Sequence, residues 1–216
     1  MFEPPPGYED MLGDAETAPW SDRYDVLDVE GIGAVRARRP MPGAVATLAM
    51  AGNNELDSVS RSDYLVRFVV DHLSPDDVER VFLGMASGGC PIDSMERLSR
   101  AIATWGTSRP YIAVITLAVL TAHHWRTLRL KLVTSGIYAP MALPTMHMIL
   151  DTTESSILEA LTVEGGKEGE MKRRLFLDKL YAPIIDPTVD AAAVIPDGFS
   201  ADEVEDSFDA FAAAAG

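Results

Sequence analysis

Arg109-Pro110-Tyr111-Ile112-Ala113-Val114-Ile115-Thr116-Leu117-Ala118-Val119-Leu120-Thr121-Ala122-His123-His124-Trp125-Arg126 is the stretch on which the fold turns. Pro110 suits a first helical position, where its missing N–H costs nothing. The dozen residues that follow carry no charge. A helix that is apolar on every side has to be surrounded by protein or by lipid. Lipid is disfavoured by length, because a spanning helix takes about 20 apolar residues and this run stops at His123, His124 and Arg126. Tyr111–Ala122 is therefore expected to be the central helix of a helical core.

Working outward, the neighbouring segments read as helices that pack on this rod. Ala44–Ala51 is short and ends at Gly52-Asn53-Asn54. Ser58–His72 repeats Tyr64, Leu65, Phe68, Val69 and His72 at helical spacing. Ser74-Pro75-Asp76-Asp77 is a start signal: Ser caps, Pro opens the first turn and acid favours the N-terminal dipole. The helix it starts places Val78, Val81, Phe82 and Met85 on one face. Another begins near Pro91, with Met95, Leu98, Ile102 and Trp105 inward. Beyond the rod, Trp125–Ser135 carries Leu128, Leu132 and Val133 on one stripe and has Gly136 as a C-terminal stop. Thr145–Thr162 offers Met148, Ile149, Thr152, Ile157 and Leu161 to the core. Glu168–Tyr181 offers Met171, Leu175, Leu177 and Leu180, with Lys172, Arg173 and Arg174 exposed.

Before the helices, Tyr24–Val29 and Ala34–Arg39 alternate around Glu30-Gly31-Ile32-Gly33, a β-hairpin pattern over about residues 24–39. The glycines lack the spacing of a dinucleotide fingerprint. Arg36 and Arg38, with Arg39 beside them, form the densest basic patch. They suit either a charged edge strand that resists aggregation or a contact for an acidic segment, the chain's own or a partner's. The domain reading is an acidic arm at 1–21, ordered if Tyr8 or Trp20 is held; a helical domain at 22–181; and an acidic tail at 182–216. The tail has no Lys or Arg. Its Val204, Phe208 and Phe211 share helical spacing. Two uses remain open for it: folding back on the chain's own basic patch, or docking as an amphipathic helix in a partner's groove.

Composition bounds the partners. The 216 residues are 47% hydrophobic, enough for a core, with a formal net charge of −15. Phosphate binding is driven by Lys and Arg, so nucleic acid is a poor partner, and an anionic membrane is disfavoured for the same reason. The single cysteine, Cys90, rules out an internal disulfide framework. Met1-Phe2-Glu3-Pro4-Pro5-Pro6 has neither the basic nor the apolar region of a secretory signal.

Candidates for chemistry are few. His147, Asp151 and Glu154 stand at i, i+4 and i+7 and line one helix face, a partial ligand set with no clear remainder. His123 and His124 point to different faces, and one is expected to cap the end of the apolar helix as a cation. Cys90 has no partner in sequence that would make it a nucleophile. No catalytic residue, cofactor or metal is expected.

One resemblance rests on order along the chain. Tyr24-Asp25-Val26-Leu27-Asp28-Val29 with Arg39-Pro40-Met41-Pro42-Gly43, then Val69 to Arg80, then Arg97 to Pro110, then His124-Trp125-Arg126-Thr127-Leu128-Arg129 resemble the tail assembly chaperones of long-tailed phages that infect actinobacteria. Leu180-Tyr181-Ala182-Pro183 and Ser207-Phe208-Asp209-Ala210-Phe211 are similar to the ends of their longer forms. The resemblance implies a mainly α, non-enzymatic protein of the host cytoplasm that is absent from the finished virion. It implies binding to the tape measure protein, with the tail tube protein and further copies of the chain as other partners. Arg36, Arg38, Arg39, Lys172, Arg173, Arg174, Val204, Phe208 and Phe211 are the expected contact residues. The competing readings are a virion component, such as a tail terminator or connector, and a metal-dependent helical enzyme using His147, Asp151 and Glu154 with His123 or His124.

Overall fold

The computed structural model describes residues 6–16, 18–19, 23–163 and 166–182. Chain order is α1 (Pro6–Glu16), β1 (Asp25–Val29), β2 (Gly33–Ala37), α2 (Ala44–Ala51), α3 (Ser58–His72), α4 (Pro75–Ser87), α5 (Ser94–Ala103), α6 (Tyr111–His123) and α7 (Trp125–Thr134). A 3-10 turn at Pro140–Ala142, α8 (Met146–Val163) and α9 (Gly166–Leu180) follow. The protein is mainly α, with one two-stranded antiparallel ribbon among the described residues.

The uncharged stretch is α6, and it is the middle of the molecule. It touches α1, α2, α5, α7, α8 and α9, and none of its residues is exposed. Ala113, Val114, Leu117, Ala118, Thr121 and Ala122 are buried. A fully buried Leu or Val contributes about 1.5–3 kcal/mol, and Val114 and Leu117 are both 0% exposed. The closest packing is against α2, whose alanines and closing Gly52 let the backbones approach. A methyl group on Gly52 would stand 2.4 Å from Ile115 Cγ2 and 3.0 Å from Val119 Cγ2. The polar atoms on α6 are paired: Thr121 Oγ1 donates to the Leu117 carbonyl at 2.6 Å and lies 2.7 Å from Thr153 Oγ1 on α8. That satisfies two buried hydroxyls, which would each be costly unpaired.

A two-stranded ribbon is marginal alone. Here β2 also pairs with the chain entering α4. The Arg38 amide donates to the His72 carbonyl at 2.8 Å, and the Ser74 amide donates to the Arg36 carbonyl at 2.9 Å. Ala37 and Leu73 form a bridge. Val35 and Ala37 face the core, while Arg36 faces out. Ser74 caps α4 as the sequence indicates, its hydroxyl accepting from the Asp77 amide. At the other end of the rod, α7 closes with the Ile137 amide on the Leu132 carbonyl at 2.8 Å and the Gly136 amide on Val133 at 3.0 Å. Gly136 has φ +90, which completes a Schellman stop.

The N-terminal segment expected as an arm is, over Pro6–Glu16, a docked helix. Tyr8 and Met11 are buried. Gly7 lies so close to the junction of α6 and α7 that a methyl group there would be 2.5 Å from the Ala122 carbonyl oxygen. Asp10 pairs with Arg126, and Asp14 pairs with Arg129 and accepts from Trp125 Nε1 at 2.8 Å. Trp20, the other expected anchor, lies outside the described residues. Gly7→Ala is expected to lift α1 from this junction, because a helix-end carbonyl cannot move aside, at a cost of about 1–3 kcal/mol. Limited proteolysis should then cut within residues 6–16, and should spare them in the unaltered chain.

Four inward assignments are corrected. Phe82 on α4 is 43% exposed, Met148 on α8 is 41%, and Met171 and Leu175 on α9 are 59% and 49%. Apolar residues run around both α8 and α9, so periodicity alone did not choose the face. The core takes Met146, Ile149, Leu150, Ile157 and Leu161 from α8, and Phe176 and Leu180 from α9.

Candidate interaction surfaces and buried polar clusters

The three hairpin arginines are engaged within the chain. Arg36 reaches Asp76 at 2.7 Å and Asp77 at 3.3 Å. Arg38 bonds the Tyr24 hydroxyl and stacks on its ring at 4.6 Å. Arg39 stacks on Trp105 at 5.0 Å and approaches Asp25 at 3.8 Å. The acidic segment opposite the basic strand is thus the first turn of α4, supplied by the chain itself.

Asp77 is the centre of that junction and is buried. It accepts from the Arg36 amide at 2.9 Å, the Ser74 hydroxyl at 2.7 Å, and Arg80 Nε and Nη2 at 3.1 and 3.0 Å. Arg80 also donates to the Ala34 carbonyl at 2.9 Å. Burial opposes the charged carboxylate. The bonds from Ser74, the Arg36 amide and the two guanidiniums outweigh it and hold Asp77 at about 2. Sequence reasoning found the cap but not this role, which needs β2 and α4 side by side.

A second cluster ties the far side. Arg109, just before α6, meets Asp151 at 2.7 Å and Glu154 on α8. The Tyr181 hydroxyl donates to Glu154 Oε1 at 2.8 Å and accepts from Arg109 Nε at 3.2 Å. Burial works against the Arg109 cation, yet Glu154, Asp151 and Tyr181 raise it above the ordinary arginine range. These residues border an open cleft over α8, lined also by Ser155, Leu158, Glu159, Thr162 and Arg173. Glu154→Gln removes the charge facing a largely buried Arg109. It is expected to lower stability by about 2 kcal/mol, read as a lower urea midpoint with unchanged slope.

His147, Asp151 and Glu154 share a face of α8 but do not converge. Both acids turn to Arg109, and His147 Nε2 lies 3.3 Å from the Trp105 carbonyl. Among the described residues no group of three or more His, Cys, Asp or Glu is placed to hold a metal. His124 ends α6 but is not a cationic cap: burial, then the neighbouring His123, push it down to about 4. Cys90 packs against Gly84, where a methyl group would be 2.5 Å from its Sγ. Its amide donates to the Gly84 carbonyl at 3.0 Å, a packing role.

On α9, Phe176 and Leu180 turn inward, and Met171 and Leu175 form an exposed apolar pair at i, i+4. Lys172 pairs with Glu168 at 3.8 Å and Arg174 with Asp178 at 3.7 Å. Arg173 lines the cleft. Val204, Phe208 and Phe211 lie outside the described residues. No described helix is long and apolar enough to cross a membrane.

The fold and its surfaces define a mainly α-helical protein with charged junctions inside and an exposed apolar pair on the last described helix. A family model described as phage tail assembly chaperone protein matches residues 1–110, just over half of the chain. The chain belongs to that phage tail assembly chaperone family, and its role is that of a chaperone in tail assembly. A second model, described as a family of unknown function, matches residues 120–216. No curated protein and no solved structure matches the chain.

Proposed function

We propose that the chain binds the tape measure protein of its phage and keeps it soluble while the tail tube is assembled. The observation that carries this reading is membership of a tail assembly chaperone family. The physics supports it. A long helical client with an apolar face aggregates when that face is bare, and a chaperone for it needs an apolar contact surface on a body that stays dispersed. A net charge of −15 supplies the dispersal, and the Met171/Leu175 face of α9 supplies apolar contact. Lys172 and Arg174 flank that face, Arg173 adds a cation on the cleft side of the same helix, and Val204, Phe208 and Phe211 follow in the chain; together they form the client surface. Arg36, Arg38 and Arg39 serve the chain's own fold in this reading, since each already has an internal partner. The protein acts in the host cytoplasm, without chemistry of its own, and leaves before the virion matures.

Co-expression with the tape measure protein and pull-down through a tag on the chain tests this. Recovery of the client with the unaltered chain, and its loss with Met171→Asp/Leu175→Asp, is the expected result. No recovery with the unaltered chain overturns it. Mass spectrometry of purified particles should not detect the chain; stoichiometric presence there would instead make it a virion component.

A further inference from the structure

We propose that, in the absence of a client, the acidic aromatic segment 202–211 of the chain's own tail docks on the outward face of α9. The face is defined by Met171 and Leu175, 59% and 49% exposed at i, i+4. On a helical projection Lys167 and Arg174 flank this pair on one side, Lys172 and Lys179 on the other. Helix α9 holds five Lys and Arg against three Glu and Asp, a local excess of positive charge on a chain of −15. Residues 182–216 hold eight Asp and Glu and no Lys or Arg. The two halves of the charge contrast are therefore neighbours in sequence. Two ion pairs at the face, Lys172 with Glu168 at 3.8 Å and Arg174 with Asp178 at 3.7 Å, are long and exposed. Such pairs contribute little, so tail carboxylates can replace them at small cost.

Length and geometry fit the same occupant. The chain leaves α9 at Tyr181, whose hydroxyl is fixed by Glu154 and Arg109, so the tail starts from an anchored point. The segment lies 20 residues beyond Tyr181, and a flexible linker of that length spans about 25 Å. The face lies about 9–15 Å back along α9 from Tyr181 at 1.5 Å per residue, within that reach. A short flexible linker gives an effective concentration in the millimolar range, so a weak docking contact is populated. Val204, Phe208 and Phe211, at i, i+4 and i+7, supply one apolar face to lie on Met171 and Leu175, with Asp202, Glu203, Glu205 and Asp206 toward the cations. The docked tail would cover the face that the proposed client uses, but docking itself requires no client.

Hydrogen–deuterium exchange of the full chain without client tests this. In Phe208→Ala/Phe211→Ala, peptides covering 167–181 and 202–211 are both expected to exchange about tenfold faster than in the unaltered chain, with 44–134 unchanged. Met171→Asp/Leu175→Asp should deprotect 202–211 in the same way. Equal exchange of both segments in the unaltered chain and the Phe variant overturns the proposal. So does protection that disappears on dilution, which would assign the face to a second copy. These outcomes are separate from the pull-down, since a chain that fails to bind the tape measure protein can still show or lack tail docking.

Discussion

Trp125→Ala is expected to destabilise the protein by about 4 kcal/mol, in the range for removing a fully buried aromatic side chain. Trp125 is 0% exposed at the start of α7. It fills the corner where α6, α7 and α1 meet, and its Nε1 donates to Asp14 at 2.8 Å. Alanine leaves a cavity under α1 and an acceptor on Asp14 that has lost this donor. Marginal stability for a domain is about 5–15 kcal/mol, so the loss is a large fraction of the total. Thermal unfolding followed by circular dichroism should show a midpoint lower by several degrees. Trp125→Phe, which keeps most of the ring, should recover most of the loss. An unchanged midpoint in the alanine variant would mean that α1 and α7 do not share this corner.

Asp77→Ala is expected to cost about 3 kcal/mol near neutral pH, because it strips acceptors from the Arg36 amide, Ser74 and two guanidiniums at once. The pH dependence identifies the cause. The folded-state value of Asp77, about 2, lies below its ordinary 3.8, so its stabilisation is present above about pH 4 and lost as pH falls through 2. The depression corresponds to about 2 kcal/mol. His124, held near 4 by burial and by His123, has to gain a proton on unfolding below its ordinary 6.5. Its contribution is present above 6.5 and lost as pH falls toward 4. The urea midpoint of the unaltered chain should therefore drop in two stages on acidification, with His72 and His147, both lowered chiefly by burial, adding to the upper one. Asp77→Ala should shrink the lower stage and keep the upper, and Asp77→Asn should shrink the lower stage with a smaller cost at neutral pH.

Which parts were legible follows from what each residue meets. The run Tyr111–Ala122 carried its own answer, since no helix so uncharged can lie at a soluble protein's surface. Ser74-Pro75 and Gly136 marked ends correctly because capping is local chemistry. Helices α8 and α9 were found, with Ile149, Ile157, Leu161 and Leu180 inward as expected, but Met148, Met171 and Leu175 were placed on the wrong side. Met146, Met148, Ile149 and Leu150 are consecutive enough that spacing admits several faces, and the buried one also carries Thr153, 2.7 Å from Thr121. The helix at Pro6–Glu16 escaped because its Pro, Gly and acid content reads as an arm. The signal was there in Tyr8, Met11 and Ala15 at i, i+3 and i+7, but what holds it is Gly7 against Ala122 and the pairing of Asp10 and Asp14 with Arg126 and Arg129 of α7, contacts more than a hundred residues distant. The hairpin arginines were seen as a patch, and the partner of Arg36 was not, because Asp77 joins β2 only in three dimensions. The family came from the order of motifs, none of them diagnostic of chemistry.

The central claim is that this protein works by covering another molecule's apolar surface. The most direct measurement is the fraction of tape measure protein left in the supernatant after centrifugation, made with and without the chain in one expression host. The account expects most of the client in the supernatant when the chain is present, most in the pellet when it is absent, and the pellet again with Met171→Asp/Leu175→Asp. Equal partition with and without the chain would contradict it.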